Sequence, residues 1–250
     1  MKMSRVEYSI SKKVGLAINR YDMISSGDKV LVALSGGKDS LTLLRILHQR
    51  RRWLPIDYTI KAVHVITDYD HKPQVKRDTL KEYCESLGCE CFFKEIAIAE
   101  KNKLGNQDCF WCSWNRRKAL FRAAEEMGFN KIAFGHHKDD IVETILMNMI
   151  FNAEVSSINP VQRLFGGKLM LIRPLVFLEE MDTARYVKEV GLPEIKSSCP
   201  KSLTSKRAVI KDIVARLARD NRDIKNNILK APHRIKADYI SDILEEEVMT

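Results

Sequence analysis

The chain has 250 residues, 45% of them hydrophobic and 30% charged, with a formal net charge of +9 and six cysteines. That balance excludes a disordered chain, and no apolar run reaches the ~20 residues that a membrane span requires. The opening stretch MKMSRVEYSISKKVGLAINRY is charged throughout and lacks the apolar core of a signal peptide. The chain therefore reads as cytoplasmic, with reduced cysteines available for metal or redox chemistry.

In chain order, a first helix is predicted over 5–24. Apolar, β-rich segments follow at 29–34, 59–66, 91–96, 131–134 and 169–173, and helical patterns at 39–51, 74–87, 113–127 and 139–151 separate most of them. Strands alternating with helices predict parallel βαβ units and an open α/β sheet with helices on both faces. Gly88, Gly128 and Gly191 stand where helices should stop. Beyond about residue 179 the pattern turns helical. The predicted organisation is an N-terminal helix over 1–25, a nucleotide-binding domain over 26–200 and a basic helical region over 201–250.

Ligands of open α/β sheets bind outside the carboxyl ends of the strands. Two polar loops occupy such positions: SGGKDS (35–40) after the first strand and GHHKDD (135–140) after the fourth. In the first, Gly36 and Gly37 permit a tight turn whose N–H groups point inward, and the following helix adds its positive end. Ser35 and Ser40 offer hydroxyls, Lys38 a point charge and Asp39 a Mg²⁺ ligand; a plain glycine turn capped by Asp39 or Ser40 needs neither the lysine nor both serines. The spacing is not that of a Walker loop. In the second loop, Gly135 precedes His136, His137, Asp139 and Asp140, where either aspartate could simply cap the next helix.

The cysteines divide into two groups. Cys109 and Cys112 form a CxxC in DCFWCSWNRRKALF at a helix entry, where thiol pKa values fall. Such a pair can chelate a metal or cluster, act as a redox couple, or supply half of a zinc site. Cys199 in SSCPKS is the candidate third ligand, and three thiolates without an evident fourth suit a 4Fe–4S cluster with one open iron. Cys84, Cys89 and Cys91 read as small, inert core residues.

SGGKDS after a first strand resembles the pyrophosphate loop of the ATP-pyrophosphatase (PP-loop) family, which splits ATP to AMP and pyrophosphate. The pattern CxxC-xxx-RR with GHHKDD and a later lone cysteine resembles the tRNA 2-thiocytidine synthetases of that family, over about residues 25–220. Ser202 stands where familiar members carry a further cysteine, SSCPKSLTSKRAVIKDIV is similar to another subgroup, and the terminal zinc-ribbon cysteines of the 2-thiouridine enzymes are absent. The resemblance implies an adenine-nucleotide alpha-hydrolase-like fold, with ATP held by Ser35, Gly36, Gly37, Lys38, Asp39, Ser40, His64 and Gly135, and Mg²⁺ by Asp39. It implies a 4Fe–4S cluster on Cys109, Cys112 and Cys199, and catalytic roles for Lys38, Arg116 and Asp139, with Arg117 ranked lower.

Adenylation would turn a pyrimidine carbonyl oxygen into a leaving group, and sulfur would then displace AMP. The sulfur donor would be a cysteine desulfurase persulfide or free sulfide, and a homodimer is compatible with the sequence. Residues 201–236 hold eleven Lys/Arg against three Asp/Glu, so Lys206, Arg207 and Lys211 are candidate contacts to tRNA phosphates, with a solvated helix face as the plainer reading. Val209, Ile213, Val214 and Leu217 are the expected apolar face of that helix. The competing functions are a PP-loop ligase, which needs no cysteine trio, and a zinc-stabilised RNA-binding protein, which leaves SGGKDS unexplained.

Overall fold

In a computed structural model of the chain, residues 3–70, 72–98, 109–195 and 205–239 are described. Helix α1 (Arg5–Arg20) precedes β1 (Lys29–Ala33), α2 (Lys38–Arg50), β2 (Thr59–Thr67), α3 (Pro73–Leu87) and β3 (Cys91–Ile96). Then come α4 (Cys109–Glu126), β4 (Lys131–Ala133), α5 (Lys138–Asn152), β5 (Val161–Leu164), β6 (Leu169–Ile172), α6 (Glu180–Val190), α7 (Lys206–Asp220) and α8 (Ile224–Lys230). None of the helices among the described residues is long and apolar enough to cross a membrane.

The chain divides into two compact units, one formed by Met1–Asp140 with Asn159–Leu203 and the other by Ile141–Ile158 with Thr204–Thr250. The first unit contains a six-stranded sheet of order β3-β2-β1-β4-β6-β5. All pairings are parallel except β5 with β6. Val30, Leu31 and Val32 of β1 are fully buried, the continuous apolar run expected of a central parallel strand covered on both faces. The five predicted strands are present to within a residue at each end. The sixth, β5, was not predicted: it is a four-residue edge strand, VQRL, whose two central residues, Gln162 and Arg163, are both exposed. The GG of Gly166 and Gly167, both at positive φ, turns it back onto β6, which is a hairpin signal in its own right. Helix α4 begins four residues before the predicted start, so the CxxC lies within its first turn.

Against the sheet, α4 buries Ala123 and Ala124 on Leu31, Val63, Ile132 and Leu171. Helices α1, α2 and α6 pack together through a buried polar seam. Glu7 Oε1 accepts from Tyr186 Oη at 2.9 Å and Gln49 Nε2 at 2.7 Å, and Arg45 Nε donates to the Tyr186 hydroxyl at 3.1 Å. Arg50 Nη1 reaches the Ser11 carbonyl at 2.7 Å. Gly15 leaves the room for it: a Cβ there would lie 2.4 Å from the Arg50 guanidinium.

The second unit is helical. Its core is Val142 from α5 with Ile210 and Val214 from α7, flanked by Leu146, Met147, Ile228 and Leu229. The apolar face read from the sequence is corrected here. Val214 is buried, but Val209, Ile213 and Leu217 are 53%, 38% and 44% exposed, and Ile210 faces inward instead. The stripe that packs runs through 210 and 214, one helical turn apart, and the other three sit beside it. Arg207 lies 3.7 Å from buried Glu143, while Lys206 and Lys211 are exposed.

At the amino ends of β1 and β4, Asp28 and Lys131 form a buried pair at 3.0 Å. Asp28 also accepts from Asn130 Nδ2 at 2.7 Å and the Ser25 amide at 2.6 Å. Truncating one partner leaves a buried charge uncompensated, so Asp28→Ala is expected to cost about 3–5 kcal/mol. Urea unfolding of the two proteins at neutral pH measures it, and a loss under about 1 kcal/mol would assign the pair no structural weight.

Candidate active site at the carboxyl ends of β1 and β4

The loop after β1 is shaped by one hydroxyl. Ser40 Oγ accepts the N–H groups of Ser35 at 3.1 Å and Gly36 at 3.2 Å, donates to the Gly37 carbonyl at 2.9 Å, and sits 3.0 Å from Ser35 Oγ. Ser40 is buried while Ser35 is exposed, and the Ser35 hydroxyl in turn accepts the Gly37 N–H at 3.3 Å. Gly36 has φ +90°, a region that favours glycine. Its carbonyl accepts the Ile195 amide at 2.9 Å, four residues before Cys199 in sequence. Cys199 itself lies outside the described residues.

Because β1 and β4 pair in parallel, Val32 against Ala133, the second loop emerges beside the first. Gly135 touches the start of α2: a Cβ there would stand 3.1 Å from Asp39 C and 3.1 Å from Ser40 N, both backbone atoms. His137, 5% exposed, stands among carboxylates, with Asp140 Oδ2 at 3.3 Å, Asp139 Oδ2 at 3.8 Å and Asp39 Oδ2 at 3.8 Å. Lys38 Nζ lies 3.1 Å from both Asp39 Oδ2 and Glu180 Oε1. Burial opposes its charge, yet these two carboxylates more than offset that and raise the ammonium's pKa above its ordinary value. Asp39 Oδ1 accepts from Thr183 Oγ1 at 2.5 Å, and Asp139 Oδ2 accepts the Glu180 amide at 2.8 Å, at the start of α6. Lys38, Asp39, Gly135 and Asp139 thus meet in one crevice.

Two further predicted residues lie along the neighbouring strand ends. His64 is buried, its Nδ1 2.6 Å from the Leu34 carbonyl, and its Nε2 is buried without a hydrogen-bond partner among the described residues. Burial holds its pKa down at about 4, so the ring is neutral near pH 7. Arg116 Nη2 reaches Thr67 Oγ1 and Asp70 Oδ2, each at 3.1 Å, beyond the end of β2. Burial alone would raise the Asp70 pKa, but the Thr67 amide, Arg116 and Lys76 hold it at about 2.

A family model described as the PP-loop domain matches residues 7–217. The tRNA-cytidine(32) 2-sulfurtransferase of Pelobacter propionicus is 34% identical over 92% of this chain and 86% of its own length. That of Syntrophotalea carbinolica is 35% identical over 95% of this chain and 93% of its own. The chain belongs to this family of PP-loop tRNA sulfurtransferases. Among solved structures, the U34-tRNA thiolase NcsA of Methanococcus maripaludis, with its 4Fe–4S cluster, superposes at a TM-score of 0.76. It is 25% identical, and the match covers 94% of this chain and 81% of that one.

The PP-loop crevice fits a nucleotide. Gly135 leaves a cradle that a Cβ would fill, and His64, bound through Nδ1 to the Leu34 carbonyl just before the SGGKDS loop, keeps a buried Nε2 without a hydrogen-bond partner among the described residues. The thiols of Cys109 and Cys112 suit a cluster in kind, three residues apart in the first turn of α4, where Cys112 is half-buried. Among the described residues no three His, Cys, Asp or Glu side chains form a metal-holding group; the Cys109 side chain and Cys199 lie outside them. Cys84 and Cys89 are buried, and burial pushes the Cys89 thiol up to about 11, which keeps it protonated and inert.

The sequence reading missed Asp70, Thr183 and Arg173. Arg173 follows β6, is 4% exposed and donates from Nε to His136 Nδ1 at 3.2 Å; burial, then Arg117, lower its pKa to about 10. Its place at a strand's carboxyl end was the available signal. Asp70 and Thr183 carried none, being single polar residues outside any motif.

Gly135→Ala should push the Asp39–Ser40 backbone out of place, since neither contact is a flexible side-chain tip. The backbone would have to give by a few tenths of an ångström, less than the ~1 Å that costs on the order of 100-fold in rate. AMP formation should fall, by less than that factor, with the circular dichroism spectrum retained; a wild-type rate would show that the loops need not meet so closely.

Proposed function

We propose that the protein is an ATP-dependent tRNA sulfurtransferase that replaces the 2-oxygen of cytidine 32 with sulfur, the activity named for its relatives. The observation that carries this reading is the crevice in which the SGGKDS and GHHKDD loops meet. ATP would lie with its phosphates against the Gly36–Gly37 turn at the start of α2, where the first N–H groups of the helix and its dipole favour anions. Lys38 stays charged and would stabilise the pyrophosphate leaving from the α-phosphorus as the cytidine oxygen attacks it. Asp39 would hold Mg²⁺, and Asp139, set against the start of α6, would position the attacking group. Sulfide then adds to C2, and AMP departs with the former carbonyl oxygen. Arg116, fixed by Asp70, would face the AMP leaving group. When bound by Cys109, Cys112 and Cys199, a 4Fe–4S cluster would supply an iron to which sulfide can attach.

Anaerobic incubation of the reconstituted protein with unmodified tRNA, ATP and sulfide, followed by nucleoside mass spectrometry, tests the reading. Wild type should yield 2-thiocytidine and AMP. Asp39→Ala should yield neither, while Cys109→Ala, Cys112→Ala and Cys199→Ala should each lose cluster absorbance and thiolation, and Cys84→Ala should keep both. A wild-type protein that forms no thiolated nucleoside under these conditions would overturn it.

The tRNA backbone would run along α7. Arg207 is engaged by Glu143 and Thr144 and Lys206 stands 4.7 Å from the Phe151 ring centroid; Lys206 and Lys211 are the exposed pair to probe. Each neutralised phosphate contributes ~0.7–0.9 to the log–log salt dependence of binding. Replacing both lysines with alanine should flatten that slope by about one to two, with ATP affinity unchanged. An unaltered slope would return α7 to the role of a solvated face.

A further inference from the structure

Outside the PP-loop crevice, a cavity of about 370 Å³ opens between the edge strand β3 and helix α4. This is the size of a small-molecule site. Its walls include Lys94 from β3 and Trp111, Trp114, Asn115, Lys118 and Arg122 from α4. On the helix these recur at three- and four-residue steps, so they form one stripe. The core does not need that stripe. Helix α4 packs on the sheet through Ala123 and Ala124, and Trp114 is left 44% exposed. The two indoles lie nearly parallel, 14° apart with centroids at 5.6 Å, and Lys118 Nζ stands 4.9 Å from the Trp114 ring. Lys94 is paired with Glu126 at 2.9 Å.

Stacked, partly exposed aromatics interleaved with cations are what single-stranded nucleic acid requires. Every base offers a π-face to an indole, and the adjoining phosphates are met by Lys and Arg. An apolar peptide would have no use for three cations around the rings. The cavity also has the right place. Lys94 and Ile96 lie toward the carboxyl end of β3, the edge at which the PP-loop opens, and β3 is two strands from β1, a lateral distance of roughly 10 Å. Trp111 sits between Cys109 and Cys112 in sequence.

We propose that this cavity is a stacking subsite for an unpaired RNA nucleotide close in sequence to the reacting base, read through Trp114 and Trp111 and held by Lys118 and Arg122. The proposal rests on the tRNA sulfurtransferase reading above. A base entering the cavity would extend the indole stack, and Lys118, now over Trp114, would turn to its phosphate.

The chain has three tryptophans, and Trp53, 57% exposed, can be replaced by Phe to leave Trp111 and Trp114 as the indole fluorophores. Titration of the full-length Trp53→Phe protein with tetracytidylate should quench this emission saturably, and an RNA duplex of equal phosphate content should not. In the same background Trp114→Ala should weaken tetracytidylate binding roughly 5- to 150-fold, read by competition against a labelled oligonucleotide. Trp114→Phe should recover most of it. Absent quenching, equal quenching by the duplex, or unchanged affinity in Trp114→Ala would each overturn the proposal. Should Trp114→Ala fail to fold, the quenching titration and the Phe variant still decide it. Thiolation of whole tRNA separates the two readings. Wild-type thiolation without oligonucleotide quenching removes the subsite and leaves the enzyme, whereas quenching without thiolation keeps the subsite and removes the enzyme.

Discussion

The pairing of β1 with β4 governs the site. Only when Val32 lies beside Ala133 in parallel register do two loops a hundred residues apart in sequence leave the sheet as neighbours, and the glycine at 135 leaves room for their close backbone contact. The same two strands are tied at their other end by Asp28 and Lys131. The sheet therefore separates its tasks along its length. At the amino ends, a charged pair is fully engaged and serves stability. At the carboxyl ends, charged side chains from three elements gather around a crevice.

Helix α6 links the loop to the N-terminal helix. Its first turns supply Glu180 to Lys38, Thr183 to Asp39 and the Glu180 amide to Asp139. Farther along, Tyr186 meets Glu7, and Asp182 meets Lys13 at 2.6 Å. A displacement of α1 would thus reach the phosphate loop through one rigid helix. The N-terminal helix belongs to the support of the site, which neither its composition nor its position in the chain would suggest.

What the sequence conveyed well was everything with a period or a motif. Continuous apolar runs marked the five parallel strands, and glycines marked the ends of α3 and α6, where Gly88 and Gly191 adopt left-handed caps. SGGKDS and GHHKDD were visible because several residue types had to coincide in one turn. The hidden part has a common physical character. Asp70, Thr183 and Arg173 act alone, each brought in by a different element, and a single polar residue has no periodicity to betray it. The edge strand β5 was too short and too polar to register. The face of α7 was misassigned because its apolar residues span more than one stripe, and only the partner helix determines which stripe is covered.

Helix α4 shows how such isolated residues matter. Successive side chains turn by about 100° around a helix, so fixing one side chain fixes the azimuth of all the others. Arg116 is anchored to Thr67 and Asp70 beyond the end of β2, and Lys76 holds Asp70 from the other side at 3.1 Å. With its pKa at about 2, Asp70 keeps its full contribution above the ordinary carboxylate range of ~4 and loses it only as pH falls toward 2. This latch sets the rotation of α4 relative to the sheet throughout the neutral range. Cys112 lies four residues before Arg116, on the same side of the helix, and so is set facing the carboxyl edge of the sheet. The tryptophan stripe, turned away by a few residues, is set facing β3. One carboxylate outside every motif thereby helps to orient both Cys112 and the tryptophan stripe.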